Sequence, residues 1–177
     1  MTKMTQIHFF ALFGLPVDFQ IDKTALKDAL LSLQKQHHPD RSDASQDSLQ
    51  QAALINHAYQ ILAHDDSRAA YLLELAGYAP DLSQSIDDWD FLDEMMDLRI
   101  ALDNANSPDS LYPISQAVQK ISQTQAEQFV KAYHAQHWDA ADDATRKLQF
   151  LGKLLVDIDN KINQTLSQDS HDDDLYV

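Results

Sequence analysis

Apolar positions recur at steps of three and four through every long segment of the chain, and no run of β-branched or aromatic residues alternates with polar ones. The pattern predicts an all-α protein. Residues 21–37 set Leu26, Ala29, Leu30 and Leu33 on one face behind a potential N-cap, Asp22, with Lys23, Lys27 and Lys35 largely off that face. Pro39 has no amide hydrogen to donate and restricts the residue before it, so this helix must stop at His38. After a loop over 38–43, a second long helix is predicted over 45–64, with Ala52, Ile55, Tyr59 and Leu62 facing inward. Two antiparallel helices joined by a short loop make a helical hairpin. A shorter helix over 66–76 carries Tyr71, Leu72, Leu73 and Leu75 and ends at Gly77, a residue suited to the left-handed position after a helix.

Residues 79–87 read as a linker, and the remainder as three further helices over 88–103, 109–136 and 138–166. Pro108 suits a helix N1 position, whereas Pro113 leaves the start of the middle helix open. In the last helix Ala141, Ala144, Leu148, Leu151, Leu155, Ile158 and Ile162 form a sustained seam, which predicts a bundle. The tail over 167–177 is polar and acidic and is expected to fray into solvent.

Composition narrows the function. The chain has 177 residues, with 13 Lys and Arg against 28 Asp and Glu, a formal net charge of −15. So negative a surface argues against nucleic acid as the main partner. No stretch reaches the roughly 18 apolar residues of a membrane span. The first residues, Met1 to Phe10, lack the charged, apolar and small-residue succession of a secretory signal and the arginines of a transit segment. The bacterial cytoplasm is the expected location, with a mature mitochondrial form as the alternative. The absence of cysteine removes disulfides, thiolate catalysis and Cys-ligated metal.

Two stretches could carry chemistry. In His38-Pro39-Asp40 a proline holds an imidazole and a carboxylate two residues apart in a loop. That pair could act as an oriented general base, in a hydrolase using His38 and Asp40, or as a turn in which Asp40 bonds its own backbone. No anion cradle or pocket is evident beside it, so a rigid recognition loop fits better. Lys27, Lys35 and Arg41 flank it, a local positive patch able to steer an acidic partner. The second stretch is the helix over 88–103. Phe91, Met95, Leu98 and Leu102 fall within about 60° of arc, while Trp89, Leu92 and Met96 lie about 100° further round, bordered by Asp90, Asp93, Glu94 and Asp97. The surplus stripe either packs between two helices or docks a partner. Phe150 falls off its own seam, near Arg146, Lys147 and Lys153; it packs on the first unit or extends the Leu92/Met96 stripe. His134 and His137 could meet on a helix, but no third metal ligand accompanies them.

A helical hairpin interrupted by His38-Pro39-Asp40 resembles the J-domain of Hsp40 co-chaperones. Three blocks narrow the likeness: Phe9-Phe10-Ala11-Leu12-Phe13-Gly14-Leu15-Pro16, Ile55-Asn56-His57-Ala58-Tyr59, and Arg68-Ala69-Ala70-Tyr71-Leu72-Leu73-Glu74-Leu75-Ala76-Gly77 resemble the HscB family of iron–sulfur co-chaperones. Phe91-Leu92, Leu98-Arg99, Trp138-Asp139-Ala140-Ala141 and Arg146-Lys147-Leu148-Gln149-Phe150-Leu151 extend it, so that it covers residues 7–166. His37 stands where that family usually has tyrosine and Arg41 where lysine is usual.

The resemblance implies a J-domain over 1–78, a linker over 79–87, a three-helix scaffold-binding bundle over 88–166 and an acidic tail over 167–177. It implies a co-chaperone, not an enzyme, with no cofactor of its own. His38, Pro39, Asp40, Arg41, Lys27 and Lys35 would bind a dedicated, HscA-like Hsp70, and Leu92, Met96, Arg99 and Phe150 an IscU-like iron–sulfur scaffold. An adaptor that brings a different client to Hsp70 is the alternative.

Overall fold

A computed structural model of the protein describes residues 8–36 and 46–172, with side chains over 8–36 and 48–167. The chain divides into two compact units, Met1–Tyr78 and Ala79–Val177. The described residues form α-helices and connecting turns, as the periodicity predicts.

The first unit contains α1 (Phe9–Leu12), α2 (Lys23–Gln36), α3 (Gln46–Ala63) and α4 (Asp65–Leu75). Asp22 caps α2 by accepting from the amides of Thr24 and Ala25 at 2.8 and 3.1 Å, which places the helix start two residues inside the predicted range. Leu26, Ile55, Ala58, Leu62, Ala69, Leu72 and Leu73 are buried together with Phe10, Phe13 and Phe19. Each large apolar side chain removed from water stabilises the unit by roughly 1.5–3 kcal/mol. The one-turn helix α1 is too short to show a period. Tertiary contacts hold it: the Phe9 amide donates to the Tyr71 hydroxyl at 3.0 Å, and the Phe9 and Tyr71 rings stack 4.7 Å apart. Gly77, at φ +84°, ends α4: the amides of Tyr78 and Gly77 return to the carbonyls of Leu73 and Glu74, the paired bonds of a left-handed helix stop.

A buried cation also organises this unit. The Arg68 guanidinium is 3% exposed, donates to the carbonyls of Phe19 and Leu62, pairs with Asp65 at 2.6 Å and lies 4.8 Å above the Phe19 ring. Burial alone would raise the Asp65 pKa, but Arg68, with Lys23 at 3.3 Å, outweighs burial and holds the carboxyl below its usual range.

The second unit contains α5 (Trp89–Asn104), α6 (Pro108–His134) and α7 (Trp138–Asp172). Its core joins Phe91, Met95 and Leu102 of α5 to Leu111, Ile114 and Val118 of α6 and Leu151, Leu154 and Ile158 of α7. Leu154 takes the fully buried place that the seam assigned to Leu155, which packs against this core half-buried. A helix covered by two neighbours buries a face wider than a single row.

The predicted boundaries shift for local reasons. Helix α6 begins at Pro108 because Ser107 and Ser110 bond reciprocally in a capping box, and the helix continues through Pro113. It ends at His134 because Gln136 turns left-handed, at φ +57°, with the His137 and Gln136 amides bonded back to Ala132 and Tyr133. Helix α7 does not stop at Leu166; its backbone remains helical to Asp172, into the stretch expected to fray.

Candidate functional site

Of the six residues assigned to Hsp70 binding, His38, Pro39, Asp40 and Arg41 lie outside the described residues. Lys27 and Lys35 are exposed on α2, off its buried face, as the pattern predicts. The hairpin that displays them is joined by a hydrogen bond between Gln34 and Asn56 at 3.2 Å.

Helices α5 and α7 run in the same direction, with α5 residues meeting partners 58 or 59 positions later in the chain. Lys147 bonds Asp88 at 2.6 Å, Arg99 bonds Asp157 at 2.5 Å, and the Lys161 ammonium donates to the Leu102 carbonyl at 2.5 Å. In the same register the ring of Phe150 meets that of Phe91 edge-on, with centroids 6.1 Å apart. Phe150 therefore has its partner inside the bundle, on the residue preceding Leu92, while remaining 36% exposed.

This register sets Arg99 and Phe150 at the α5–α7 seam, and Leu92 and Met96 lie on α5 between the Phe91 and Arg99 contacts. Leu92 is half-buried and packs against the core, Met96 is 65% exposed, Arg99 is tied to Asp157, and Phe150 lies on the α7 side. Trp89, Asp90, Leu92, Asp93 and Met96 line a shallow depression of about 390 Å³. Phe91, Met95 and Leu102 fill the space between helices, whereas Leu92 lies half-buried at the border of the two stripes, and Trp89 and Met96 face solvent on the second. At its far end Ile100, 49% exposed, continues the spacing of Leu92 and Met96; it is visible in the sequence as one further step of four, yet it is absent from the predicted site.

The support beneath this surface was not legible in the sequence. Lys147 is 6% exposed, pairs with Asp88 and with Asp143 at 2.9 Å, and its ammonium lies 5.5 Å above the Phe91 ring. Burial pulls the Lys147 pKa down, but the two carboxylates outweigh it and hold the pKa above 10.5. The hydrogen bond from Lys147, with that from the Phe91 amide, holds Asp88 below its usual range. Asp88 is thus both the N-cap of α5 and its tie to α7. Arg146 likewise bonds Asp142, Asp143 and Gln84. Burial raises the Asp142 carboxyl, a shift that Arg146 and the amide of Asp81 only partly offset. Of the three cations read as neighbours of Phe150, Arg146 and Lys147 are structural ties, while Lys153 is exposed.

Among the described residues no group of three or more His, Asp or Glu side chains is placed to hold a metal ion. His134 ends α6 and His137 follows the left-handed Gln136, so the two imidazoles do not share a helix face. No described helix is long and apolar enough to cross a membrane.

Residues 8–71 match the family model described as DnaJ domain, and residues 87–159 match the one described as HSCB C-terminal oligomerisation domain. The chain is 40% identical over 166 residues to the "Co-chaperone protein HscB homolog" of Acinetobacter baylyi, covering 94% of this chain and 97% of that one. The homologue of the same name from Acinetobacter baumannii is also 40% identical, over 167 residues with the same coverage. Among solved structures, chaperone HscB from Vibrio cholerae superposes with a TM-score of 0.71 at 34% identity, covering 89% of this chain and 99% of that one. The human co-chaperone protein HscB gives 0.73 at 26% identity, covering 90% of this chain and 84% of that one.

Proposed function

Because the chain belongs to the HscB family of J-domain co-chaperones, we propose that it is an adaptor in iron–sulfur cluster assembly, acting in the bacterial cytoplasm. Its bundle holds an IscU-like scaffold, while its J-domain docks on a dedicated HscA-like Hsp70 and raises the rate of ATP hydrolysis there. Hydrolysis closes the Hsp70 on the scaffold and promotes cluster transfer. The cluster is cargo, and no active site in this chain is required.

The observation that carries the reading is the second stripe of α5, with Met96 exposed and Leu92 half-buried, on a helix tied to α7 through Phe91–Phe150 and Arg99–Asp157. An apolar surface with aromatic and methionine side chains and a polar rim has the composition of a docking interface. Leu92, Met96, Arg99 and Phe150 are assigned to the scaffold. His38, Pro39, Asp40 and Arg41 are assigned to the Hsp70, with Lys27 and Lys35 as electrostatic support. Binding both partners on one molecule replaces a second bimolecular encounter with a local one at high effective concentration.

The test is single-turnover ATP hydrolysis by the cognate Hsp70, with this protein and the scaffold added separately and together. The expected result is stimulation by the protein alone and synergy with the scaffold, both lost in His38→Gln. Stimulation without synergy would reassign the bundle to another client. No stimulation by folded protein would remove the J-domain reading.

A further inference from the structure

Trp89 is 81% exposed, the most solvent-facing of the chain's large apolar side chains among the described residues. It is the first residue of α5, and its backbone is fixed from two sides. The Asp88 carboxylate accepts from the Phe91 amide at 3.1 Å and from the buried Lys147 ammonium at 2.6 Å, which joins the first turn of α5 to α7. The indole therefore projects from a rigid turn and forms one wall of the depression shared with Leu92 and Met96. Two exposed carboxylates, Asp90 and Asp93, complete that depression, and Glu94 and Asp97 continue the charge along α5. The single cation of α5, Arg99, is engaged by Asp157.

We propose that Trp89 is an anchor and specificity determinant for the scaffold: the indole, Leu92 and Met96 clasp an apolar side chain of the scaffold that is flanked there by lysine or arginine facing Asp90 and Asp93. This rests on the reading of the bundle as the scaffold-binding unit. Two features select that occupant. The depression is continuous with the Leu92/Met96 stripe, and an apolar floor with an acidic rim complements an apolar side chain set among basic ones. A tryptophan contributes a large contact area with only two side-chain torsions to order on binding, which is why this residue recurs among binding hot spots.

The full-length chain labelled with 5-fluorotryptophan carries two reporters, Trp89 and Trp138, visible by fluorine NMR whatever the scaffold contains; Trp138→Phe assigns them. Saturation with the cognate scaffold is expected to shift and broaden the Trp89 resonance and to leave Trp138 nearly in place. Trp89→Ala should weaken scaffold binding by about 10- to 100-fold, and Asp90→Asn with Asp93→Asn should slow association and flatten its dependence on salt. Because the side chain is exposed, Trp89→Ala should keep the wild-type unfolding temperature. An unmoved Trp89 resonance at saturation, with Trp89→Ala binding as tightly as wild type while Met96→Ala binds weakly, overturns the role of Trp89 and leaves the scaffold reading intact. Undiminished binding by Met96→Ala and by Leu92→Ala with Phe150→Ala overturns both. A large fall in unfolding temperature for Trp89→Ala returns the residue to a folding role.

Discussion

Single side chains do two kinds of work in this molecule, distinguished by exposure. Arg68 is almost wholly buried, and its guanidinium satisfies the carbonyls of Phe19 and Leu62 as well as Asp65. Arg68→Met keeps the apolar stem but leaves buried acceptors without donors, at roughly 1–3 kcal/mol each. The first unit should lose about 2–4 kcal/mol of stability, read by denaturant unfolding. A loss below about 0.5 kcal/mol would mean that water replaces the guanidinium. Met96, 65% exposed, is the opposite case. Met96→Ala should leave the unfolding midpoint unchanged while weakening scaffold binding, measured by titration calorimetry. A several-degree fall in midpoint would show that the side chain belongs to the core.

At the scale of the element, helix ends decide where the chain turns and what each helix displays. Asp88→Asn keeps a good N-cap but removes the charge paired with buried Lys147. The folded-state pKa of Asp88 lies below 3.8, so its contribution is complete above that pH and is lost as pH falls through the lower folded value. The Lys147 pKa lies above 10.5, so its contribution is complete below that pH and is lost as pH rises through the higher folded value. The stability gap between wild type and Asp88→Asn should therefore be flat between about pH 5 and 9 and should narrow in strong acid and strong alkali. A gap independent of pH would assign the effect to the cap alone. The turn between α6 and α7 stores strain that glycine avoids, since Gln136 sits at φ +57°. Gln136→Gly should stabilise the bundle by up to about 1 kcal/mol, measured as a shift in denaturant midpoint.

On the scale of the whole molecule, the chain divides into two compact units, so the surfaces proposed on each should fail independently. Asp40→Asn should abolish ATPase stimulation and leave the scaffold affinity unchanged. Leu92→Ala with Met96→Ala and Phe150→Ala should weaken scaffold binding by a few kcal/mol and leave the basal stimulation of Hsp70 unchanged, with only the synergy lost. Loss of both functions in one folded variant would contradict separate docking surfaces. The formal charge of −15 acts over the entire chain, and it favours partners that present basic surface to the bundle.

The amino-acid sequence by itself determined the all-α class and six of the seven helices among the described residues, five to within two positions at each end and the last with its end set six residues short. Periodicity, prolines and caps are local signals, written where the element forms. It also contained both stripes of α5, because a helix's faces follow from its period alone. What it left open was which stripe faces water, and that depends on where α7 lies. Only tertiary structure brings Asp88 to Lys147, Phe91 to Phe150 and Arg99 to Asp157, pairs nearly sixty residues apart with no local signature. The same holds for α1, a single turn that Tyr71 secures from the other end of the unit, and for Lys147, which reads as a surface cation until folding buries it between two carboxylates. Local free energies set each helix, whereas the exposure of a side chain is a property of its neighbours, and those are chosen when the helices pack.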